Sequence, residues 1–414
     1  MKTSVHQTLR TSIILAMLLA GIAPGTAAAA TYYVATSGND SNAGSITQPF
    51  RTIRKGISVL SAGDTLRVRG GTYTERIDSN QFAIPSGTSW DNAVTIAVYP
   101  GEMVVIQAGS LPGVVNLAHS YIRYVIFDGF VFDGRNVGGF GTSVVSLWGG
   151  VNHVRFVNTE VKNSPSHGVT IYWGNGASSD YNEFRNCSVH DNGQTGDLDH
   201  GFYINGSHNL VEGCRIYNNR AYGVQIYSGY SGLPANGNVI RGNRLYGNGI
   251  TSNNGGGIVT GSGSGTLVYN NLIYENKDGV VVCCGYTAPA NQKILNNTVT
   301  NNHRFGVEVQ QGTGHVVRNN ILRLNASGDT RFLVNVTNSN NLTGDPLFVD
   351  APARDFRLRS TSPAIDTGQA LNEVQDDFDK TARPQGLAHD VGAFEYRAQT
   401  AQAPAAPLNL RIVQ

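Results

Sequence analysis

A short unit recurs along the middle of the chain, and a recurring unit restricts the fold more than any single motif does. Six stretches align, at 182–192, 209–219, 238–248, 266–276, 292–302 and 314–325. Each has an apolar pair, two polar residues, an Asn or Cys, and then a second alternating strand ending near Asn. A weaker copy begins at Asn152. Side chains in such short strands alternate with period two, so one face is buried and the other exposed. Repeats of roughly 20–35 residues built from short strands and Gly/Asn turns stack as a solenoid. Asn243, Asn271 and Asn320 fill the slot held elsewhere by Cys187 and Cys214. Stacking puts these side chains above one another. A buried Asn needs hydrogen-bond partners, and a ladder of like neighbours supplies them.

A further strand follows in each coil, marked by Gly168, Gly201, Gly223, Gly257, Gly279 and Gly306. The steps between these glycines are 33, 22, 34, 22 and 27 residues. The base coil is therefore about 22 residues, and the longer coils carry loops at 175–180, 193–199, 229–237 and 249–255 that should flank the functional face. Alternation points Val169, Phe202, Val224, Ile258, Val280 and Val307 inward, with Ile171, Ile204 and Ile226. The opposite parity points outward. It gives His167, Thr170 and Tyr172 on one coil, His200, Tyr203 and Asn205 on the next, and Tyr222, Gln225 and Tyr227 on the third. Parallel strands lie about 4.8 Å apart, so these nine side chains form one patch about 10 Å across.

The ends differ from the repeat. Residues 1–30 read as a secretory signal: Lys2 and Arg10, a short apolar run from Ser12 to Ile22, and small residues from Ala27 to Ala30. The apolar run is too short to span a bilayer and no later segment is apolar enough, so the mature protein is expected to be soluble and exported. Without Lys2 and Arg10 the chain has 28 basic residues against 29 acidic, because the whole chain has 30 and 29. No basic excess remains to suggest a nucleic-acid partner. Residues 31–80 read as an N-terminal cap and first coil, with a helix over 53–60 covering the open end of the solenoid. Residues 340–396 read as a closing segment, in which Asp376, Asp377 and Asp379 form a solvated cap. Residues 397–414 read as an Ala/Pro linker and tail. Cys187 and Cys214 read as small buried packing residues, with a disulfide between neighbouring rungs as the alternative. Cys283 and Cys284 are adjacent and have no partner at zinc-site spacing. Tyr217, Tyr246 and Tyr274 form a separate structural ladder.

The opening from Tyr32 to Ile77, the Asn-ladder coils, and the endings Ser362-PAIDTG and Asp390-VGAFEY together resemble secreted bacterial β-helix proteins of the pectate-lyase-like superfamily. The resemblance covers nearly the whole mature chain. It implies an all-β, right-handed parallel β-helix with an N-terminal helical cap, spanning 31–396. Activity is less determined, because this scaffold hosts lyases, hydrolases, epimerases and non-catalytic proteins. In layout, Cys187 to Ile226 is similar to the ten-coil pectate lyases that use calcium and a lysine base. Gly201-Phe202 and Gly213-Cys214-Arg215 match that pattern. The Asp before the glycine is His200 here, the lysine position is Asn205, and the paired aspartates are Arg220-Ala221-Tyr222. The family's base therefore does not carry over. Calcium is the one cofactor implied, with Asp191, Asp197 and Asp199 as the ligands that remain.

β-Elimination on a uronate polymer needs a neutralised carboxylate, a base for the C5 hydrogen and an acid for the leaving oxygen. His200 is the candidate base near neutral pH. Tyr203 is the candidate acid, and Arg220 the group that neutralises the carboxylate. His167, Tyr172, Asn205, Tyr222, Gln225 and Tyr227 are the candidate substrate contacts, the tyrosines offering ring faces to sugars. The leading expectation is a secreted, monomeric polysaccharide lyase on a pectate- or alginate-like polymer. The alternatives are a non-catalytic carbohydrate-binding or cell-surface β-helix protein, and a glycoside hydrolase or epimerase on the same fold. A hydrolase wants two carboxylates about 5–10 Å apart, and none of Asp197, Asp199, Asp278 and Glu308 makes a convincing pair.

Overall fold

The computed structural model describes residues 29–398, except 109–112, 139–141, 195, 230–232 and 234. The segment read as a signal, and nearly all of the tail, lie outside the described residues.

Each coil gives one strand to each of three parallel sheets, which hold twelve, ten and ten strands among the described residues. On one coil these strands are Glu183–Arg185, Ser188–His190 and Phe202–Ile204. We label the three sheets A, B and C in that order. The next coil repeats them in register, with Phe184 beside Val211, Val189 beside Ile216 and Phe202 beside Val224. The inward-pointing residues of sheet C, Val169, Phe202, Val224, Ile258, Val280 and Val307, are all fully buried, as are Ile171, Ile204 and Ile226. Aromatic side chains stack coil on coil inside the core. Phe127, Phe156 and Phe184 lie 5.0 and 4.8 Å apart with ring planes 14° and 3° from parallel. Such pairs contribute about 0.5–1.5 kcal/mol each beyond the area they bury.

The paired asparagines of the repeat divide two tasks between them. In Asn218-Asn219, Asn270-Asn271, Asn296-Asn297, Asn301-Asn302 and Asn319-Asn320, the first residue has a left-handed φ between 49° and 58°. Asn tolerates this conformation, which turns the chain from one strand into the next. The second residue points inward and joins a ladder. Asn243 Nδ2 donates to Asn271 Oδ1 at 2.9 Å, Asn271 to Asn297 at 2.9 Å and Asn297 to Asn320 at 3.0 Å. Cys187 and Cys214 continue this ladder as free, buried thiols. A second ladder runs through Asn192, Asn219, Asn248, Asn276 and Asn302. It also explains the marker glycines. A Cβ on Gly168 would sit 2.7 Å from Asn192 Nδ2, and one on Gly201 2.8 Å from Asn219 Nδ2.

Helix α1 (Ile53–Ser58) caps the first coil and is two residues shorter than the spacing predicts. Thr52 caps it by accepting from Lys55 N–H, and Ile53 and Ile57 are fully buried. At the other end the closing segment folds back over the helix. The left-handed asparagines of three coils hold it: Asn270, Asn296 and Asn319 donate to the carbonyls of Asp376, Asp390 and Gln369 at 2.7, 3.0 and 2.7 Å. Arg383 and Glu395 form an ion pair at 2.5 Å with both side chains fully buried. Asp377 does not sit in a solvated cap. It is buried, and its carboxylate accepts from the N–H groups of Asp379, Thr381 and Glu395. Tyr217, Tyr246 and Tyr274 stack on sheet B, with rings 4.9 and 5.3 Å apart.

Candidate functional site

The outer face of sheet C forms the floor of a groove of about 1130 Å³. Its sheet C floor runs from Asn116, within the strand Val115–Leu117, to Cys283, just past Val280–Val282, and Asn80 extends the lining beyond Asn116. Those strands are six spacings apart, so the groove is about 29 Å long. Two columns of outward-parity positions run along the floor, and all of them but Asn205 and Val281 line the groove. One runs Asn116, Ser146, Thr170, Tyr203, Gln225, Val259 and Val281 in direct register. The other, one residue past the next paired position, runs Trp148, Tyr172, Asn205, Tyr227, Gly261 and Cys283. One wall is the loop 196–199. Asp197 ties this loop to a neighbouring loop by accepting from Asn253 Nδ2 at 2.8 Å and Ser252 Oγ at 3.0 Å. Lys277 braces the second loop through the carbonyls of Ser252 and Asn253.

Tyr203 lies at the centre, with the rings of His167, His200, Tyr172 and Tyr227 at 5.3, 6.0, 6.1 and 6.5 Å. Burial, and then the phenols of Tyr172 and Tyr227, push its hydroxyl well above the ordinary tyrosine range. It stays a neutral donor. Trp148 is fixed by donating its indole N–H to Asn116 Oδ1 at 2.9 Å.

The two histidines depart from the expectation. His200 is fully buried rather than exposed, and its Nε2 is closed off as well. Its Nδ1 accepts from the Tyr222 backbone N–H at 3.1 Å, while the His200 backbone N–H donates to His167 Nδ1 at 3.2 Å. Each ring nitrogen that accepts leaves the proton on Nε2. Neither neutral imidazole therefore presents a free lone pair to the groove. Burial pushes His167 down to about 4, against the pull of Asp199. Burial, with His167 adding to it, pushes His200 well below its ordinary value. The pair is a stacked rung, 5.4 Å between centroids and 17° from parallel, and is not arranged as a base.

Arg220 does not line the groove, but turns to Asp197 at 3.7 Å. Asn205 is fully buried and donates to the Tyr227 carbonyl at 2.9 Å. Tyr222 is almost entirely buried against Val259, Val281 and Cys283, though an edge reaches the groove. His167, Tyr172, Gln225 and Tyr227 do line it. The three aspartates do not converge. Asp191 lies past the sheet B strand Ser188–His190 and pairs with His190 Nδ1 at 2.7 Å. Asp199 Oδ1 accepts from Ser166 Oγ at 2.7 Å, and its Oδ2 from Gly196 N–H at 2.9 Å. Asp197 is held by Ser252 and Asn253. Their oxygens are committed to separate partners, so this donor set does not fit a calcium ion, which takes 6–8 oxygens at 2.3–2.6 Å. Among the described residues the only ionisable acids and bases lining the groove, tyrosine apart, are Asp197, Asp199 and the two histidines.

Sequence reasoning missed Trp148, Asn116 and Ser146 at one end and Val259 and Cys283 at the other. The strand Ser143–Leu147 lacks the marker glycine, because Val144 stands there. On that coil the space is left by Gly134, where a Cβ would lie 2.5 Å from Val144 Cγ2. The period-two pattern of 143–148 was the available signal.

The stacked parallel coils and the groove on one sheet define a β-helix of the kind that carries its site on an outer sheet face. A family model described as "Pel9A-like, right handed beta helix region" matches residues 32–341. The chain belongs to this family, and the match bears out the right-handed parallel β-helix. A curated relative, Pectate lyase PEL9 of Emericella nidulans, is 39% identical over 85 residues, which is 20% of this chain and 20% of that protein. The match thus spans about a fifth of the relative's length. Among solved structures, one titled as pectate lyase Pel9A superposes with a TM-score of 0.65 at 21% identity, covering 90% of this chain and 98% of that one. A rhamnogalacturonan lyase gives 0.62 at 18% identity, covering 83% and 97%.

Proposed function

We propose that the protein takes up an extended polysaccharide along the sheet C groove, and that it acts there by binding. The observation that carries this is the floor itself. Four aromatic side chains, Trp148, Tyr172, Tyr203 and Tyr227, line a groove about 29 Å long, interleaved with Asn116, Ser146, Thr170 and Gln225. Ring faces receive the C–H faces of sugars, while amides and hydroxyls meet their hydroxyl groups. Elimination would need an unengaged base and a cation for the uronate carboxylate. The histidine lone pairs are taken by backbone amides, and no Lys or Arg lines the groove among the described residues. Export fits this reading, because the signal-like start and the Cys283–Cys284 disulfide both suit an oxidising exterior.

A second reading, a uronan lyase, is favoured by the local identity to a pectate lyase. One experiment separates the two. The full mature chain is run in affinity gels containing polygalacturonate, alginate, a glycosaminoglycan or a neutral glycan, and each mixture is also followed by ultraviolet absorbance. Retardation by at least one polymer is expected, lost in Tyr172→Ala and Tyr203→Ala, without absorbing products. Absorbing products would replace binding with the lyase reading. No retardation by any polymer would overturn the groove assignment.

A further inference from the structure

The far end of the groove has a different chemistry from the rest. The central column is polar or hydroxylated through Asn116, Ser146, Thr170, Tyr203 and Gln225, then changes to Val259 and Val281. The second column changes at the same rung, from Tyr227 to Gly261 and then Cys283. Cys283 is bonded to its neighbour Cys284, and both line the groove. Cys283 is 2% exposed and packs with Tyr222, Val259 and Val281, while Cys284 is exposed. Val259 and Val281 are nearly buried in this cluster, so the groove meets its apolar edge at Val259 and Cys283 together with the exposed Cys284.

Gly261 joins the patch into one floor. A Cβ there would lie 3.0 Å from the Tyr227 ring and 3.1 Å from the Cys283 carbonyl. Its absence leaves the tyrosine ring and the disulfide on either side of bare backbone. The disulfide adds a polarisable, uncharged surface that accepts no strong hydrogen bond. It also fixes both sulfurs, where two thiols would rotate freely. No Lys or Arg lines this end among the described residues. A carboxylate would be desolvated here without a partner, whereas a methyl group would gain by burial.

We propose that Tyr227, Gly261, Val259 and the Cys283–Cys284 disulfide form an apolar subsite for an uncharged, methyl-bearing sugar residue. In a uronan, this is the methyl ester in preference to the free carboxylate. The proposal rests on the groove reading above. Its probe is a methyl-esterified homogalacturonan, set against the same preparation after enzymatic de-esterification with a pectin methylesterase, which hydrolyses the ester without cutting the chain, so that chain length is matched. The mature full-length protein should bind the ester form more tightly, by about fourfold for each methyl group seated. Cys283→Ala/Cys284→Ala should abolish that preference, so that the ester and de-esterified chains bind the variant equally. Mild phosphine reduction of the folded wild type should do the same, and serves if the double variant does not fold. Gly261→Ala, which fills the floor without touching sulfur, should also lose the preference. Equal affinity for the two polymers in the wild type, or a preference that survives reduction, overturns the subsite. If the subsite alone is wrong, Tyr203→Ala still weakens binding of both polymers. If the groove reading is wrong, Tyr203→Ala changes neither.

Discussion

The histidine rung makes a pH prediction whose size follows from the structure. His167 is an ordinary imidazole in the unfolded chain, titrating near 6.5, and burial lowers it to about 4 in the folded protein. Between those values the unfolded state binds a proton that the folded state does not. Stability therefore rises with pH across this window. It is fully present above about 6.5, falls as the pH drops, and is lost by about 4. Each tenfold in proton affinity is worth about 1.4 kcal/mol, so His167 contributes about 3 kcal/mol of pH-dependent stability. His167→Asn keeps a side-chain acceptor for the His200 N–H but removes the titration. Urea midpoints of both proteins at pH 7, 5.5 and 4 measure the effect. The wild type should lose about 3 kcal/mol more than the variant between pH 7 and 4. Carbon-13 shifts of labelled imidazoles should show His167 and His200 both still neutral at pH 5. Parallel pH slopes for the two proteins would refute the reasoning, as would a His167 ring that protonates at pH 6 or above.

Other consequences concern the scaffold. Asn248→Ala removes bonds to Asn276 Oδ1, Ile216 O and Tyr246 O, takes the acceptor of the Asn219 backbone N–H, and leaves Asn219 Nδ2 with Val189 O alone. A loss of about 3–5 kcal/mol is expected in urea unfolding, and one below about 1 kcal/mol would contradict the ladder account. Glu395→Gln strands the buried Arg383 cation and should cost about 3–5 kcal/mol, felt first in the closing segment. Limited proteolysis should then cut within 360–398 well before it cuts the coils. Cys187 and Cys214 should stay unreactive to a bulky thiol reagent in the folded protein, because both are 1% exposed, and should react on unfolding.

Much of the fold was legible because two periodicities coincide in this chain. Alternation within each strand assigned the inward face of sheet C correctly at every position, from Val169 to Val307. The repeated Asn slot announced the ladder, whereas the Asn before it, which turns the chain at a left-handed φ, came only from the structure. The site was less legible. Alternation says which side of the sheet a residue takes, but does not reveal what lies over it. His200 was assigned to an outer face, yet it is buried against Tyr222, whose backbone N–H its Nδ1 accepts. Asn205 was likewise read as a contact and instead bonds the Tyr227 carbonyl. The aspartates sit on the long connection 191–201, whose path no repeat constrains, and Arg220, in the short corner 218–221, turns to that loop at Asp197. Asp191 directly follows a sheet B strand and Asp199 lies shortly before a sheet C strand, although only eight positions separate them. The pairing of Cys283 with Cys284 came from the local path of the chain, which spacing alone does not give.

The most direct test of the account is a crystal structure of the full mature chain with a partly methyl-esterified galacturonan oligomer long enough to span the groove. Sugar rings should lie along sheet C over Tyr172, Tyr203 and Tyr227, with a methyl ester on the Cys283–Cys284 disulfide and no side-chain base against any C5. An oligomer seated on sheet A or sheet B would contradict the account, as would a cleaved, unsaturated end beside His200.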